Sequence, residues 1–226
     1  MEKKIPIEIQ NLNFDEGQVL LIDKPYTWSS FQALKKVKYR LKIKKIGHAG
    51  TLDPLATGLL ILCTGKKTKE INTYQAQEKE YIGTLVFGKT TPCIDLEKDF
   101  DATFPFEHIS LADLEEVRKK FMGEIEQSPP LFSAIKQEGK RLYELARKGK
   151  ETEIKPRVVY IKELEFTKTK LFPEVDFRVI CSKGTYIRSL VRDIGLALRS
   201  GAYLKALRRT RIGEFEVENA WQIDAW

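Results

Sequence analysis

Between Gly47 and Gly58 the chain carries three glycines, one proline and a lone carboxylate, Asp53. It then runs directly into Leu59-Leu60-Ile61-Leu62-Cys63. Glycine opens backbone conformations that other residues avoid, and proline fixes φ and removes a donor. Such punctuation specifies a sharp loop rather than a helix or strand. The apolar run behind it needs a buried home, so the loop is tied to a core. An acid presented on an anchored loop is a candidate for chemistry. Asp before Pro is also a common turn former, and the loop alone does not separate the two roles.

The composition is that of an ordinary globular protein, with 42% hydrophobic and 31% charged residues in 226. Leu59 to Cys63 is the longest apolar stretch, too short to span a bilayer. The start, Met1-Glu2-Lys3-Lys4, lacks the apolar region of a secretory signal. Three cysteines, Cys63, Cys93 and Cys181, are scattered and form no CxxC pair. Together with only two histidines, this argues against a disulfide framework or a zinc site. The expectation is a cytoplasmic, metal-free protein with no membrane contact.

The formal net charge is +7, and its distribution matters more than its size. Lys35, Lys36, Lys38, Arg40, Lys42, Lys44 and Lys45 precede the Asp53 loop, and Lys66, Lys67 and Lys69 follow it. A central cluster includes Lys136, Lys140, Arg141, Arg147, Lys148 and Lys150. A late one comprises Arg199, Lys205, Arg208, Arg209 and Arg211. Any one cluster could be solvated surface. Two of them flanking a candidate active loop favour a polyanionic substrate.

Gln18 to Ile22 reads as a short buried strand. Ser29 or Ser30 can cap a helix with Phe31, Leu34, Val37 and Leu41 on its apolar side. Glu80 to Phe87 alternates as a strand, with Tyr81, Gly83, Leu85 and Phe87 on one face. Ser110 with Asp113 resembles a capping box before a helix through Leu114, Val117 and Phe121. Arg157 to Phe166 and Val175 to Cys181 read as strands. From Thr185 a helix buries Ile187, Leu190, Val191, Ile194 and Leu198, with Gly201 just past its end. Strands and helices do not alternate strictly, which predicts an α+β fold with a largely antiparallel sheet.

The string GHAGTLDPLATG around Asp53 resembles the catalytic motif of the TruB family of tRNA pseudouridine synthases. Further segments resemble the same family in the same order. Leu20 to Pro25 lies upstream and Lys79-Glu80-Tyr81 downstream. Ser133 to Lys136, Gly139 to Glu144, Cys181 to Arg188 and Leu207-Arg208-Arg209 follow. The resemblance implies the pseudouridine synthase fold: a large mixed, mainly antiparallel sheet flanked by helices, with a central active-site cleft. It implies one catalytic domain over residues 1–226 with an RNA-clasping insertion at about 124–150. It also implies isomerisation of uridine 55 in the tRNA T-loop.

The residue roles are likewise implied by the resemblance. Asp53 is the nucleophile, attacking either the sugar C1′ or the base C6. Arg188 is its ion-pair partner and positioner, and Tyr81 is a catalytic residue that stacks on the target base and can handle a proton during the rearrangement. Tyr186 and Leu207 line the base pocket, and His48 contacts the substrate near the flipped nucleotide. Lys24 matches a lysine that supports the active loop or substrate. No cofactor is expected, because the reaction needs no redox change and no external group. The expected partner is the tRNA T-arm, for a monomer with no obligate protein partner.

Two departures from the family pattern stand out. Little chain follows Phe215, so the PUA-type RNA-binding domain of many bacterial relatives is not expected. In Gly88-Lys89-Thr90-Thr91-Pro92-Cys93-Ile94-Asp95, Pro92 takes the place of an acid, and no role is carried over to Asp95. Two rival readings remain: a non-catalytic RNA-binding or tRNA-folding module on the same scaffold, and a synthase with another RNA target.

Overall fold

The computed structural model describes residues 9, 11–130, 136–137, 140–141, 155–168 and 172–223. The chain divides into two compact units, Met1–Ile82 with Leu207–Trp226, and Gly83–Ala206. The first unit opens with β1 (Val19–Lys24), α1 (Ser30–Arg40), β2 (Ile46–His48), β3 (Ala56–Thr64) and α2 (Ile71–Ala76). Strand β4 (Lys79–Phe87) carries the chain into the second unit. There follow β5 (Lys89–Thr90), β6 (Ala102–Thr103), α3 (Leu111–Lys120), β7 (Gly123–Gln127), β8 (Lys136–Gln137), β9 (Lys140–Arg141), β10 (Arg157–Lys168), β11 (Glu174–Cys181) and α4 (Ile187–Ala197). Strand β12 (Ala202–Ile212) returns to the first unit, which closes with β13 (Phe215–Glu216) and β14 (Trp221–Gln222). The architecture is α+β with mixed but mainly antiparallel strand pairing, as expected.

In the first unit β14, β1, β3 and β12 lie side by side. β1 pairs antiparallel with β3, while β14 on β1 and β12 on β3 are parallel. The apolar run of β3 is buried on both faces, which is why it does not alternate. Leu60 and Leu62 face one core with Leu20, Ile22, Leu34 and Val37. Leu59, Ile61 and Cys63 face the other with Ala49, Ile212 and Val217. A one-residue slip of β3 would exchange the two sets, so packing fixes its register and the loop in front of it.

Helix α1 starts at a capping box formed by Ser29 and Gln32. Its buried face is Ser30, Ala33, Leu34 and Val37. Phe31, expected on that face, is 57% exposed, while Leu41, at the helix C-cap, is partly buried and packs against the same core as Leu34 and Val37. The small Ser30 and Ala33 are what pack inward.

In the second unit β7, β10 and β11 form successive antiparallel pairs. Helix α3 carries the expected capping box, Ser110 with Asp113. Helix α4 buries Ile187, Leu190, Val191 and Ile194, and Leu198 at its C-cap is partly buried. The left-handed residue after it is Arg199 (φ 54°) rather than Gly201. Gly201 is needed for space instead: a Cβ there would lie 2.4 Å from the Phe104 ring. Residues 124–127, expected within the insertion, belong to β7, with Gln127 opposite Arg157 of β10. The chain between those two partners lies largely outside the described residues, as do Arg147, Lys148 and Lys150 of the basic cluster read there, while Lys136, Lys140 and Arg141 fall in β8 and β9. Among the described residues, no helix is long and apolar enough to cross a membrane.

Candidate active site

The Asp53 loop is held by its backbone. The Ala56 N–H donates to the Asp53 carbonyl at 3.1 Å, closing a turn with Pro54 at its second position. The hydroxyl of Ser30, the first residue of α1, accepts from the Leu52 N–H at 2.8 Å and donates to the Leu52 carbonyl at 3.1 Å. Leu52 is buried while Asp53 beside it is only partly buried. The loop is thus pinned next to the acid, and the acid keeps access to solvent.

Two buried cations complete the support. Lys24 is fully buried, and its ammonium donates to the carbonyls of Pro25, Trp28 and Pro54. It therefore holds the loop and offers no exposed surface to a substrate. Arg209 is 1% exposed, donating to the Leu59 carbonyl at 2.8 Å and the Gly50 carbonyl at 3.1 Å. Its guanidinium links the two ends of the loop. Gly58 (φ 101°) sits opposite Arg209 in the β3–β12 pairing. A Cβ at Gly58 would fall 2.2 Å from the Arg209 carbonyl oxygen, so only glycine lets these strands approach. Arg208 grips Asp23 with both guanidinium arms, at 3.0 and 2.7 Å. In the late basic cluster Arg209 is therefore buried, and Arg208, Lys205 and Arg211 are each paired with a carboxylate.

Burial lowers the Lys24 ammonium to about pH 8, opposed by the Asp53 carboxylate and reinforced by Arg209. A lowered lysine pKa means that the unfolded chain binds the proton more tightly than the native one. The burial cost is fully present below pH 8 and is relieved as pH rises from about 8 towards 10.5. Wild-type stability relative to Lys24→Met is therefore expected to rise with pH across that window. At neutral pH the variant still strands the three carbonyls and is expected to lose roughly 2–3 kcal/mol. Urea unfolding of both proteins at stepped pH values measures both effects. His48, on β2, is pushed below the usual histidine value by burial and by Arg209, so it is neutral at pH 7.

Tyr81 is buried on β4, and Leu207 on β12 stands opposite Ala56, at the end of the Asp53 turn. The first unit therefore brings His48, Asp53 and Leu207 onto connected elements, with Lys24 beneath.

Arg188 and Tyr186 belong to the second unit. Arg188 is 5% exposed, its guanidinium donating to the Cys93 carbonyl at 3.0 Å and lying 3.7 Å from the Asp95 carboxylate. Asp95 has no role that the sequence alone marks. The Thr91 to Asp95 turn delivers it: the Thr91 hydroxyl donates to the Asp95 carbonyl at 2.6 Å, and Ile94 takes a left-handed φ of 67°. Tyr186 caps α4, with its N–H on the Gln127 side-chain oxygen at 2.7 Å and its ring 5.1 Å from the Arg157 guanidinium.

An anchored, partly exposed aspartate on this α+β scaffold suits a site for nucleophilic chemistry. Residues 38–187 match the N-terminal domain model of the TruB family of pseudouridylate synthases. Residues 188–225 match the C-terminal domain model of tRNA pseudouridylate synthase B. The chain is 59% identical over 215 residues to tRNA pseudouridine synthase B of Flavobacterium johnsoniae, covering 92% of this chain and 93% of that protein. It is 53% identical to the same-named protein of Phocaeicola vulgatus, covering 95% and 94%. The chain belongs to the TruB family.

Among solved structures, a chain of a Cbf5-Nop10-Gar1 complex superposes with a TM-score of 0.72 at 30% identity, over 98% of this chain. An H/ACA RNP bound to a substrate RNA containing 2'-deoxyuridine gives 0.69 at 28% identity, again over 98% of this chain. This chain spans 56% and 54% of the length of those two chains.

Proposed function

We propose that this protein isomerises uridine 55 in the T-loop of tRNA to pseudouridine, with Asp53 as nucleophile. The observation that carries the reading is the Asp53 loop itself: a partly buried carboxylate on a backbone clamped by Ser30, Lys24 and Arg209. The relatives named tRNA pseudouridine synthase B supply the substrate. Clamping fits nucleophilic catalysis, because a carboxylate must attack and leave from one fixed position.

The target uridine leaves its stack at a cost of a few kcal/mol, offset by contacts in the pocket. Asp53 then displaces or adds to the base, at C1′ or C6. The C1′–N1 bond breaks, a C1′–C5 bond forms, the bond to Asp53 is released, C5 loses its proton and N1 gains one. In this reading Tyr81 provides a face for the base and Leu207, Tyr186 and His48 shape its surroundings. Arg188, held by Asp95, is the catalytic cation. The atoms balance without a cofactor. The protein works as a monomeric, cytoplasmic enzyme, its two units serving one catalytic domain and the segment at about 124–150 clasping RNA.

Purified protein is expected to release tritium from tRNA transcribed with C5-tritiated uridine, approaching stoichiometry with tRNA. Absence of release on well-folded transcript contradicts the proposal. Binding is also expected to weaken with salt as lysines and arginines displace phosphate counterions. Between about 50 and 200 mM salt the loss should be at least tenfold. Filter-binding titrations across that range measure it.

A further inference from the structure

We propose that the exposed side of α1 is a contact surface for the substrate RNA strand beside the Asp53 loop, extending the proposed site along the helix. This inference rests on the tRNA reading above. Three observations carry it. First, α1 exposes aromatic rings that a soluble helix has no packing reason to expose. Phe31 is 57% exposed and Tyr39 72%, with Tyr26 at 53% just before the helix. Phe31, Lys35 and Tyr39 follow at four-residue spacing, so they share one stripe. The Lys35 ammonium lies 4.8 Å from the Phe31 ring centroid, a cation and a ring already in register.

Second, the charge is of one sign. From Lys24 to Leu52 there is no Asp or Glu, while Lys35, Lys36, Lys38, Arg40 and Lys42 lie on or just after α1. Aromatic faces interleaved with lysines suit a nucleic-acid strand: bases stack on the rings and phosphates meet the ammonium groups. An apolar protein partner would not call for this density of cations.

Third, the stripe is continuous with the reacting acid. Ser30 opens α1 and binds both backbone groups of Leu52, the residue before Asp53. From Phe31 to Tyr39 the helix rises about 12 Å, the reach of roughly two nucleotides of extended strand. RNA whose flipped uridine meets Asp53 therefore has adjacent chain within reach of Phe31 first and Tyr39 last.

The test compares wild type, Phe31→Ala/Tyr39→Ala, Lys35→Gln/Lys38→Gln, and a control, Lys120→Gln, on the exposed end of α3. Unmodified tRNA transcript is the probe, with dissociation constants and single-turnover tritium release measured at several salt concentrations. The aromatic pair should weaken tRNA binding about tenfold or more, the scale of losing base–aromatic stacking. The lysine pair should weaken it severalfold and flatten the log–log salt slope by about one to two units. Losses should fall mainly on the dissociation constant, with the rate at saturating enzyme changed far less. The control should match wild type. Phe31, Lys35 and Tyr39 are exposed and Lys38 partly so, and unchanged thermal unfolding identifies folded variants. If wild type isomerises tRNA but both pairs bind like wild type at every salt concentration, the α1 surface is not an RNA contact. If wild type does not isomerise tRNA, the reading on which it rests fails instead.

Discussion

Asp53→Asn is expected to remove isomerisation while leaving the fold and tRNA binding near normal. The carboxylate is partly exposed, and the bonds holding the loop come from Ser30, Lys24 and Arg209 to main-chain atoms. Those hydrogen bonds end on main-chain atoms, so an amide of nearly the same size leaves them in place. What it cannot supply is a nucleophile able to form and release a covalent bond. Loss of a nucleophile costs several orders of magnitude in turnover, so single-turnover tritium release should fall by about 10⁴-fold or more. Dissociation constants for tRNA should stay within about threefold of wild type, the effect of a surface-accessible isosteric change. Weak binding with an intact chemical rate would instead make Asp53 an RNA contact.

Arg188→Lys is expected to be the next most damaging change. The native guanidinium is buried, donates to the Cys93 carbonyl and lies 3.7 Å from Asp95. That arrangement uses a planar fork with several donors in fixed directions. Lysine keeps the charge but offers a point cation on a flexible stem. It cannot reproduce both contacts from one position, so the cation should shift. A displacement of about 1 Å can cost 10²-fold in a positioned reaction, and a loss of that order in the chemical step is expected. Binding of tRNA should change little. If Arg188→Lys reacts at the wild-type single-turnover rate, guanidinium geometry has no role and Arg188 supplies only positive potential. Asp95→Asn offers a parallel check: if Asp95 positions Arg188, the chemical rate should fall in that variant too.

The sequence was legible where residue type and conformation agree. The glycines and proline around Asp53 mark a loop, and the apolar run behind it becomes β3, buried on both faces. The capping signals at Ser29 and Ser110 mark the starts of α1 and α3. It misled where small or charged residues are buried. On α1, Ser30 and Ala33 pack inward and Phe31 stays outside, because the first turn must bring Ser30 to Leu52. Counting large apolar residues hides that. Strand β12 looked like a basic cluster, since Lys205, Arg208, Arg209 and Arg211 crowd it. Burial of Arg209 is tolerated because two main-chain carbonyls receive it, and such partners leave no sequence signal. Asp95 carries no sequence signal for its role, because Pro92 departs from the family pattern there. The turn that brings it to Arg188 depends on a left-handed Ile94, which residue type disfavours.

The most direct test of the central claim is to map pseudouridine in an unmodified tRNA transcript after incubation with purified protein. Chemical derivatisation followed by reverse transcription locates the product base. The account predicts a stop at uridine 55 in the T-loop, absent with Asp53→Asn. Pseudouridine at another position, or an unaltered transcript under conditions where the protein binds it, would contradict the account.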